Sequence, residues 1–334
     1  MKKISKALKI SELPPVSDYL STGCTILDLS ISDRLDGGFG VGRISHIWGK
    51  ESTAKSILSL EPLGCSQRKG GTATLVDSEG TLDFDRAKNL FGVDTDKLNY
   101  ISAEDEGIEE LTIEYLFDNI IYDCIKNSKK GKPSALTVDS LSAITSGMEL
   151  DNNDAYGASR AKGMSAGFRK NIWALSKSNL SLIFVDQTRQ KIGVTFGKKD
   201  TFSGGEALKF YASTRIQVSN FSKIKNKYDK VIGVMIAFEI DKNKIAPPFR
   251  SGKFRLLFDY GIDDIGTNLM WLKENDPLYA AKKGFYTFDD KAYRFDTLVK
   301  HIEDNNLEEV LRKEVYRVWK IIYPKLGRKR KLRK

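Results

Sequence analysis

The chain predicts an α/β fold on a mostly parallel β-sheet with crossover helices, and three observations carry that prediction. Between about residues 20 and 260, apolar runs rich in β-branched residues alternate with longer helical patterns, as strands joined through helices do. Within this stretch, Gly49-Lys50-Glu51-Ser52-Thr53-Ala54-Lys55-Ser56 follows the apolar run Ile44-Ser45-His46-Ile47-Trp48 and precedes residues that can start a helix, which is the context of a phosphate-binding loop. After about residue 263 the texture changes to short aromatic-rich strands and amphipathic helices, a small C-terminal α+β unit.

Taken in order, the first twenty residues are punctuated by lysine and proline and read as an arm, packed elsewhere or disordered. Strands are predicted over residues 44–48, 72–76, 98–102, 134–138, 182–185, 213–218, 231–240 and 253–258, because each is a short apolar run with β-branched residues. Helices fit between most of them. The helix over 55–68 contains Pro62, which removes a hydrogen bond and crowds the preceding turn, so a kink or an early end is expected there. A strand over 284–288 and helices over 295–305 and 307–322 complete the C-terminal unit. The organisation is therefore an arm (1–20), an α/β core (21–262), a small α+β domain (263–325) and a basic tail (326–334).

Bulk properties narrow the classes. At 334 residues the chain can bury one large core plus an appended unit, and 40% hydrophobic with 29% charged residues is a globular composition. There is no run of about 18 apolar residues and no apolar signal region behind the lysine-rich start, so an intracellular protein without membrane insertion is expected. Cys24, Cys65 and Cys124 are odd in number and widely spaced, which argues against a disulfide framework and a zinc site. His46, inside an apolar strand, reads as a packed core residue. The net charge of +10 is concentrated in Arg328-Lys329-Arg330-Lys331, Arg333 and Lys334, which suits a polyanion partner; alone, such a tail reads as a solvated end.

The loop from Gly49 to Ser56 departs from G-x-x-x-x-G-K-[ST] at one place, Ala54. In such a loop, backbone N–H groups and the helix end cradle phosphate, the lysine (Lys55) reaches the β- and γ-phosphates, and the hydroxyl (Ser56) takes Mg²⁺. Ala54 is tolerable if its φ is negative and costly if the backbone must be left-handed. Leu136-Thr137-Val138-Asp139-Ser140 is an apolar strand ending in a carboxylate, so Asp139 can stand beside the metal with Ser56. Leu75-Val76-Asp77-Ser78-Glu79 supplies Glu79, which either polarises an attacking water or, with Asp77, Asp83 and Asp85, serves a helix start. The segment from Gln187 through Arg189, Lys191, Ile192, Gly193, Val194, Thr195 and Phe196 to Gly204 and Gly205 combines glycine, cations and apolar side chains, as a loop tracking single-stranded nucleic acid does.

These blocks, with Leu20-Ser21-Thr22-Gly23 and Gly204 through Ser213, resemble RecA-type strand-exchange recombinases over about residues 20–266, the phage UvsX group most of all by the variant loop. The resemblance implies a RecA-type P-loop ATPase core, a twisted sheet with helices on both faces, that uses ATP and Mg²⁺. It implies that Glu79 activates water, that Gln187 senses the γ-phosphate, and that Lys242 and Lys244 reach into a neighbour's ATP site as an arginine finger does. By charge alone the two lysines are ordinary surface residues. Gly49, Lys50, Glu51, Ser52, Thr53, Ala54, Lys55, Ser56, Ile57, Asp83, Arg86, Asp139 and Gly266 are implied around the nucleotide, with Arg86 stacking on the base where the family has an aromatic. Single-stranded DNA is implied against two loops, residues 150–157 and 188–205, with Arg160, Lys162, Ser165, Arg169, Ile192 and Glu206. Lys209, Phe210 and Arg215 join the trans lysines at the protomer interface.

The expected function is ATP-dependent homologous pairing by a helical filament on single-stranded DNA that engages duplex DNA. Expected partners are further copies of the chain and single-strand-binding and mediator proteins, in the cytoplasm of a bacterial cell or a phage-infected host. Ala54, Ile57 in place of a second hydroxyl residue, and Pro62 motivate an alternative, a DNA-binding filament scaffold with negligible hydrolysis. A ring-forming helicase motor is a second, against which the paired lysines and Gly204-Gly205 speak.

Overall fold

The computed structural model describes residues 14–102, 111–147, 158–190, 200–202, 205–279 and 284–324. Tyr19–Leu20 (β1) leads into Thr25–Ser32 (α1), a helix buried along its whole length, and then Phe39–Gly40 (β2), which pairs antiparallel with β1. The end of the arm thus folds back on its own chain. The central sequence of elements is Arg43–Gly49 (β3), Lys55–Arg68 (α2), Ala73–Asp77 (β4), Phe84–Phe91 (α3) and Leu98–Ser102 (β5). It continues with the consecutive helical segments Ile113–Tyr115, Leu116–Ile121 and Tyr122–Asn127 (together α4), then Ser134–Asp139 (β6), Ala158–Lys177 (α5) and Leu180–Gln190 (β7). Asp200–Phe202 (β8), Gly205–Tyr211 (α6), Thr214–Lys225 (β9), Val231–Asn243 (β10), Ser251–Leu257 (β11) and Gly261–Asp263 (β12) follow.

The large sheet runs β12-β11-β10-β9-β3-β7-β6-β4-β5, with β8 paired to β7. From β9 to β5 every neighbouring pair is parallel; from β9 to β12 the strands are antiparallel. Each strand predicted in this region is present. Alternation along the buried strands places helices on both faces. Val76, Leu136, Leu182 and Phe184 join one core cluster with Phe117, Met164 and Phe168 from α4 and α5. Their strand neighbours Leu75 and Ala135 join another cluster with Leu63 of α2 and Phe91 of α3, and Ile183 packs with Ile47 and Leu58.

Of the two outcomes expected at Pro62, the early end does not occur. Helix α2 does not end at Pro62 but continues to Arg68. Proline in a helix interior costs about 3 kcal/mol through its missing N–H and its clash. Packing outweighs it, because Pro62, Leu63, Gly64 and Cys65 are buried and Thr137 Oγ1 on β6 donates to the Ser59 carbonyl at 3.0 Å.

After the sheet come Asp264–Asn275 (α7), the hairpin Phe285–Phe288 (β13) and Lys291–Arg294 (β14), Phe295–Asp304 (α8) and Glu308–Ile322 (α9). Leu269, Phe288, Leu298, Leu311, Val315 and Trp319 from these elements share one continuous cluster with Ile26 and Leu29 of α1 and Phe238 and Phe254 of the sheet. The terminal basic cluster lies outside the described residues. Among the described residues, no helix is long and apolar enough to cross a membrane.

Candidate active site

The parallel strands end in register along one edge. Gly49 on β3 pairs with Gln187 on β7, and Asp77 on β4 pairs with Asp139 on β6. This is the carboxyl edge of the sheet, where α/β proteins bind ligands. The loop Lys50 to Ala54 leaves that edge and hands the chain to α2.

Gly49 is demanded by space, since a Cβ there would lie 2.2 Å from the Val218 carbonyl oxygen of β9. Thr53 Oγ1 donates to the Lys50 carbonyl at 2.7 Å, and Asn220 Nδ2 donates to the Ser52 carbonyl at 3.1 Å, so a neighbouring strand holds the loop. Ser52 and Ala54 both have left-handed backbones, with φ of 56° and 63°. The condition under which Ala54 is costly is therefore met. Ile57 is partly buried against the core, which accounts for an apolar residue after the hydroxyl.

Lys55 is buried and its Nζ donates to the Lys50 carbonyl at 2.6 Å. Burial lowers its pKa, opposed by Asp139, Glu51 and Glu79. Asp139 is pushed up to about 6 by burial, against the hydrogen bond from Ser56 and the charge of Lys55, with Glu79 and Asp77 adding to the rise. Ser56 and Asp139 thus form the adjacent all-oxygen pair that suits Mg²⁺, while Lys55 is the cation beside it. The donor set fits a magnesium-bound triphosphate.

The acidic cluster divides its labour. Asp83 caps α3, accepting from the Arg86 N–H at 2.9 Å. Asp77 orders the turn after β4, accepting from the Leu82 N–H at 2.8 Å, the Tyr100 hydroxyl at 3.1 Å and the Glu79 N–H at 3.3 Å. Glu79 is left exposed and faces the site: its Oε1 accepts from Ser140 Oγ at 2.6 Å and from Gln187 Nε2 at 3.3 Å. The helix-start role belongs to Asp83, and Gln187 touches the glutamate itself.

Arg86 is exposed and donates to the Phe258 carbonyl at 3.2 Å. It lines a cavity of about 140 Å³ with Ser56, Ile57, Asp83 and Asp139, and a wider cleft with Asn89, Phe258 and Asp259. Gly266 does not belong to this group. It is buried in the first turn of α7, its N–H is spent on Asp263 Oδ1 at 2.7 Å, and a Cβ on it would strike Asp263 and Arg255. The polypeptide beside Arg86 is instead the 258–259 turn, which sequence reasoning missed because nothing in its composition marks it.

Lys242 reaches the C-terminus of α6, donating to the Lys209 and Phe210 carbonyls at 2.6 and 2.8 Å. Burial, then Lys244 and Arg215, lower its pKa to about 8 against Asp241. Phe210 is 71% exposed, whereas Arg215 is buried and committed within the chain. Its Nη1 lies 2.9 Å from Asp241 and its Nε donates to His46 Nδ1 at 3.3 Å. His46 is fully buried, as a core residue should be, and burial with Arg215 holds its pKa well below the usual range. Since Nδ1 accepts, the proton sits on Nε2, toward Asp186 at 3.8 Å.

On α5, Lys162 and Arg169 are exposed and Ser165 is half-buried between them, one stripe at helical spacing. Arg160 departs from the stripe, with its guanidinium against the Leu141 and Ser142 carbonyls. The flanks of the second loop pair as strands, Thr188 with Phe202, Arg189 with Thr201 and Gln190 with Asp200. Residues 150–157 and the expected contacts Lys191, Ile192, Gly193, Val194, Thr195, Phe196 and Gly204 lie outside the described residues. Glu206 is exposed and bonded to Lys209.

Fold and site together define a phosphate-loop α/β nucleotide-binding protein. Residues 8–263 match the RecA N-terminal domain. The chain is 39% identical over 251 residues to the protein RecA of Gluconacetobacter polyoxogenes, covering 75% of this chain and 68% of that one. It is 34% identical over 303 residues to protein RecA of Clostridioides difficile, covering 89% and 82%, and 35% identical over 285 residues to that of Rickettsia prowazekii, covering 83% and 79%. The chain belongs to the RecA family, the DNA-dependent ATPases of homologous recombination and strand exchange.

Proposed function

We propose that the site at the carboxyl edge binds ATP with Mg²⁺ and that Glu79 is the general base of its hydrolysis. The observation that carries this reading is the placement of Glu79 Oε1 between Ser140 and Gln187, with Lys55, Ser56 and Asp139 across the same edge. Ser56 and Asp139 would hold Mg²⁺, which supplies charge neutralisation between the phosphates. Lys55 adds a fixed positive charge, and Gln187, at the head of the second loop, ties the state of the site to the loop that follows. Lys242 and Lys244 act on the neighbouring protomer's ATP, so that nucleotide clamps two copies together and orders the DNA-facing loops. Lys162, Ser165 and Arg169 meet the phosphates of single-stranded DNA. The same reading sets the filament beside single-strand-binding and mediator proteins in a bacterial cytoplasm, in an uninfected or a phage-infected cell.

Glu79→Gln keeps the shape and removes the base. It retains ATP-dependent filament formation on single-stranded DNA, seen by electron microscopy, while phosphate release falls by about 10²-fold or more. A variant that hydrolyses ATP normally, or one that cannot bind DNA with ATP, refutes the assignment.

A further inference from the structure

Two hydroxyls and one arginine near Glu79 have no part in the chemistry so far. Ser140 Oγ lies 2.6 Å from Glu79 Oε1 and 2.7 Å from Ser142 Oγ. A serine carries one hydroxyl proton, and an ionised carboxylate only accepts. Ser140 therefore spends its proton on Glu79, and Ser142 must be the donor in the serine pair. The polarity is fixed: Ser142 to Ser140 to Glu79, each bond strengthening the next.

Behind this relay stands Arg160, in the first turn of α5. Its Nη2 donates to the Leu141 carbonyl and its Nη1 reaches the Ser142 carbonyl at 3.5 Å. Both carbonyls belong to the short helical turn Leu141–Ala143 that carries the donor hydroxyl. Ser78 secures the other end, accepting from the Ser140 N–H at 3.0 Å and donating to the Ser140 carbonyl at 2.6 Å. The turn is thus held on two sides. Glu79 itself is exposed, and among the described residues its Oε2 carries no hydrogen bond, so anchoring Oε1 decides where Oε2 points.

We propose that Arg160 and Ser142 are positioning residues for Glu79: the guanidinium fixes the turn after β6, and the serine relay on that turn aims the carboxylate at the attacking water. This rests on Glu79 being the general base. It gives α5, the helix whose exposed stripe faces DNA in the reading above, a mechanical connection to hydrolysis that is separate from Gln187.

Steady-state ATPase assays on the full chain, with Mg²⁺ and saturating oligothymidylate, test it. Ser142→Ala lowers kcat about three- to tenfold, the loss of roughly one hydrogen bond, while KM for ATP and oligonucleotide affinity stay within about twofold. Ser142→Thr keeps the hydroxyl and restores kcat. Arg160→Ala has an effect of similar size, and combining it with Ser142→Ala adds little, because both act through one unit. Three results overturn the relay: unchanged kcat in Ser142→Ala, additive losses in the double variant, or a fall in oligonucleotide affinity that accounts for the rate loss in Arg160→Ala. Glu79→Gln in the same assays separates the two readings. Full turnover there refutes the glutamate's role, whereas abolished turnover beside an unaffected Ser142→Ala refutes the relay alone.

Discussion

Ala54 concentrates at one residue the tension between loop geometry and sequence. Its φ of 63° is a conformation that costs an L side chain about 1–2 kcal/mol and glycine almost nothing. Glycine would also loosen the unfolded chain, returning about 0.4–1 kcal/mol of that gain. The net expectation is that Ala54→Gly raises the free energy of unfolding by about 0.5–1 kcal/mol. Urea titration followed by circular dichroism checks it. An unchanged or lower midpoint would mean that the methyl group's contact with the core outweighs the strain. The residue scale is also where the sequence was most informative and most ambiguous. Lys55, Ser56 and Asp139 were legible from spacing, because phosphate and magnesium chemistry calls for a lysine and hydroxyl at a helix start after one strand and a carboxylate at the end of another strand on the same sheet edge. The sign of Ala54's effect was not, since φ belongs to the folded loop.

At the scale of elements, α2 shows how packing overrides local preference and leaves a charge behind. It runs through Pro62, and one residue earlier Glu61 turns into the protein, its Cδ only 2.5 Å from where a Cβ on Gly23 would be. Burial pushes Glu61 up to about 8, Arg68 opposes this, and Asp28 and Asp264 reinforce it. A carboxyl whose folded pKa exceeds its unfolded value of 4.5 binds more protons in the folded state across that interval. Stability is then full below about 4.5 and declines as pH rises through about 8. Glu61→Gln keeps the volume and cannot ionise. It should be near neutral at pH 5 and stabilising by about 1–3 kcal/mol at pH 8.5, read from urea melts at both values. Equal effects at the two pH values would dismiss the buried charge as the cause. Strands and helices were readable because apolar periodicity records burial. The continuation past Pro62 and the grip of Arg160 were not, because each depends on partners distant in sequence.

For the whole molecule, the question is whether the C-terminal elements form a separate cooperative unit. Composition changes after residue 263, which suggested an appended domain, yet the core does not stop there. Trp319 of α9 is 1% exposed, donates from Nε1 to Asp33 Oδ1 at 2.9 Å, and lies under the Arg250 guanidinium at 5.1 Å. It therefore ties the last helix to the end of α1 and to the β10–β11 connection in one contact set. Truncating a buried tryptophan costs about 3–5 kcal/mol through lost burial and the cavity left behind. Because its neighbours belong to a single continuous cluster, that loss should fall on the whole chain. Trp319→Ala is expected to lower the thermal midpoint of a single calorimetric transition, the one transition also expected of the parent. A variant that showed an early C-terminal transition followed by an unshifted main one would instead make residues beyond 263 an independent domain, docked on the ATPase core rather than continuous with it.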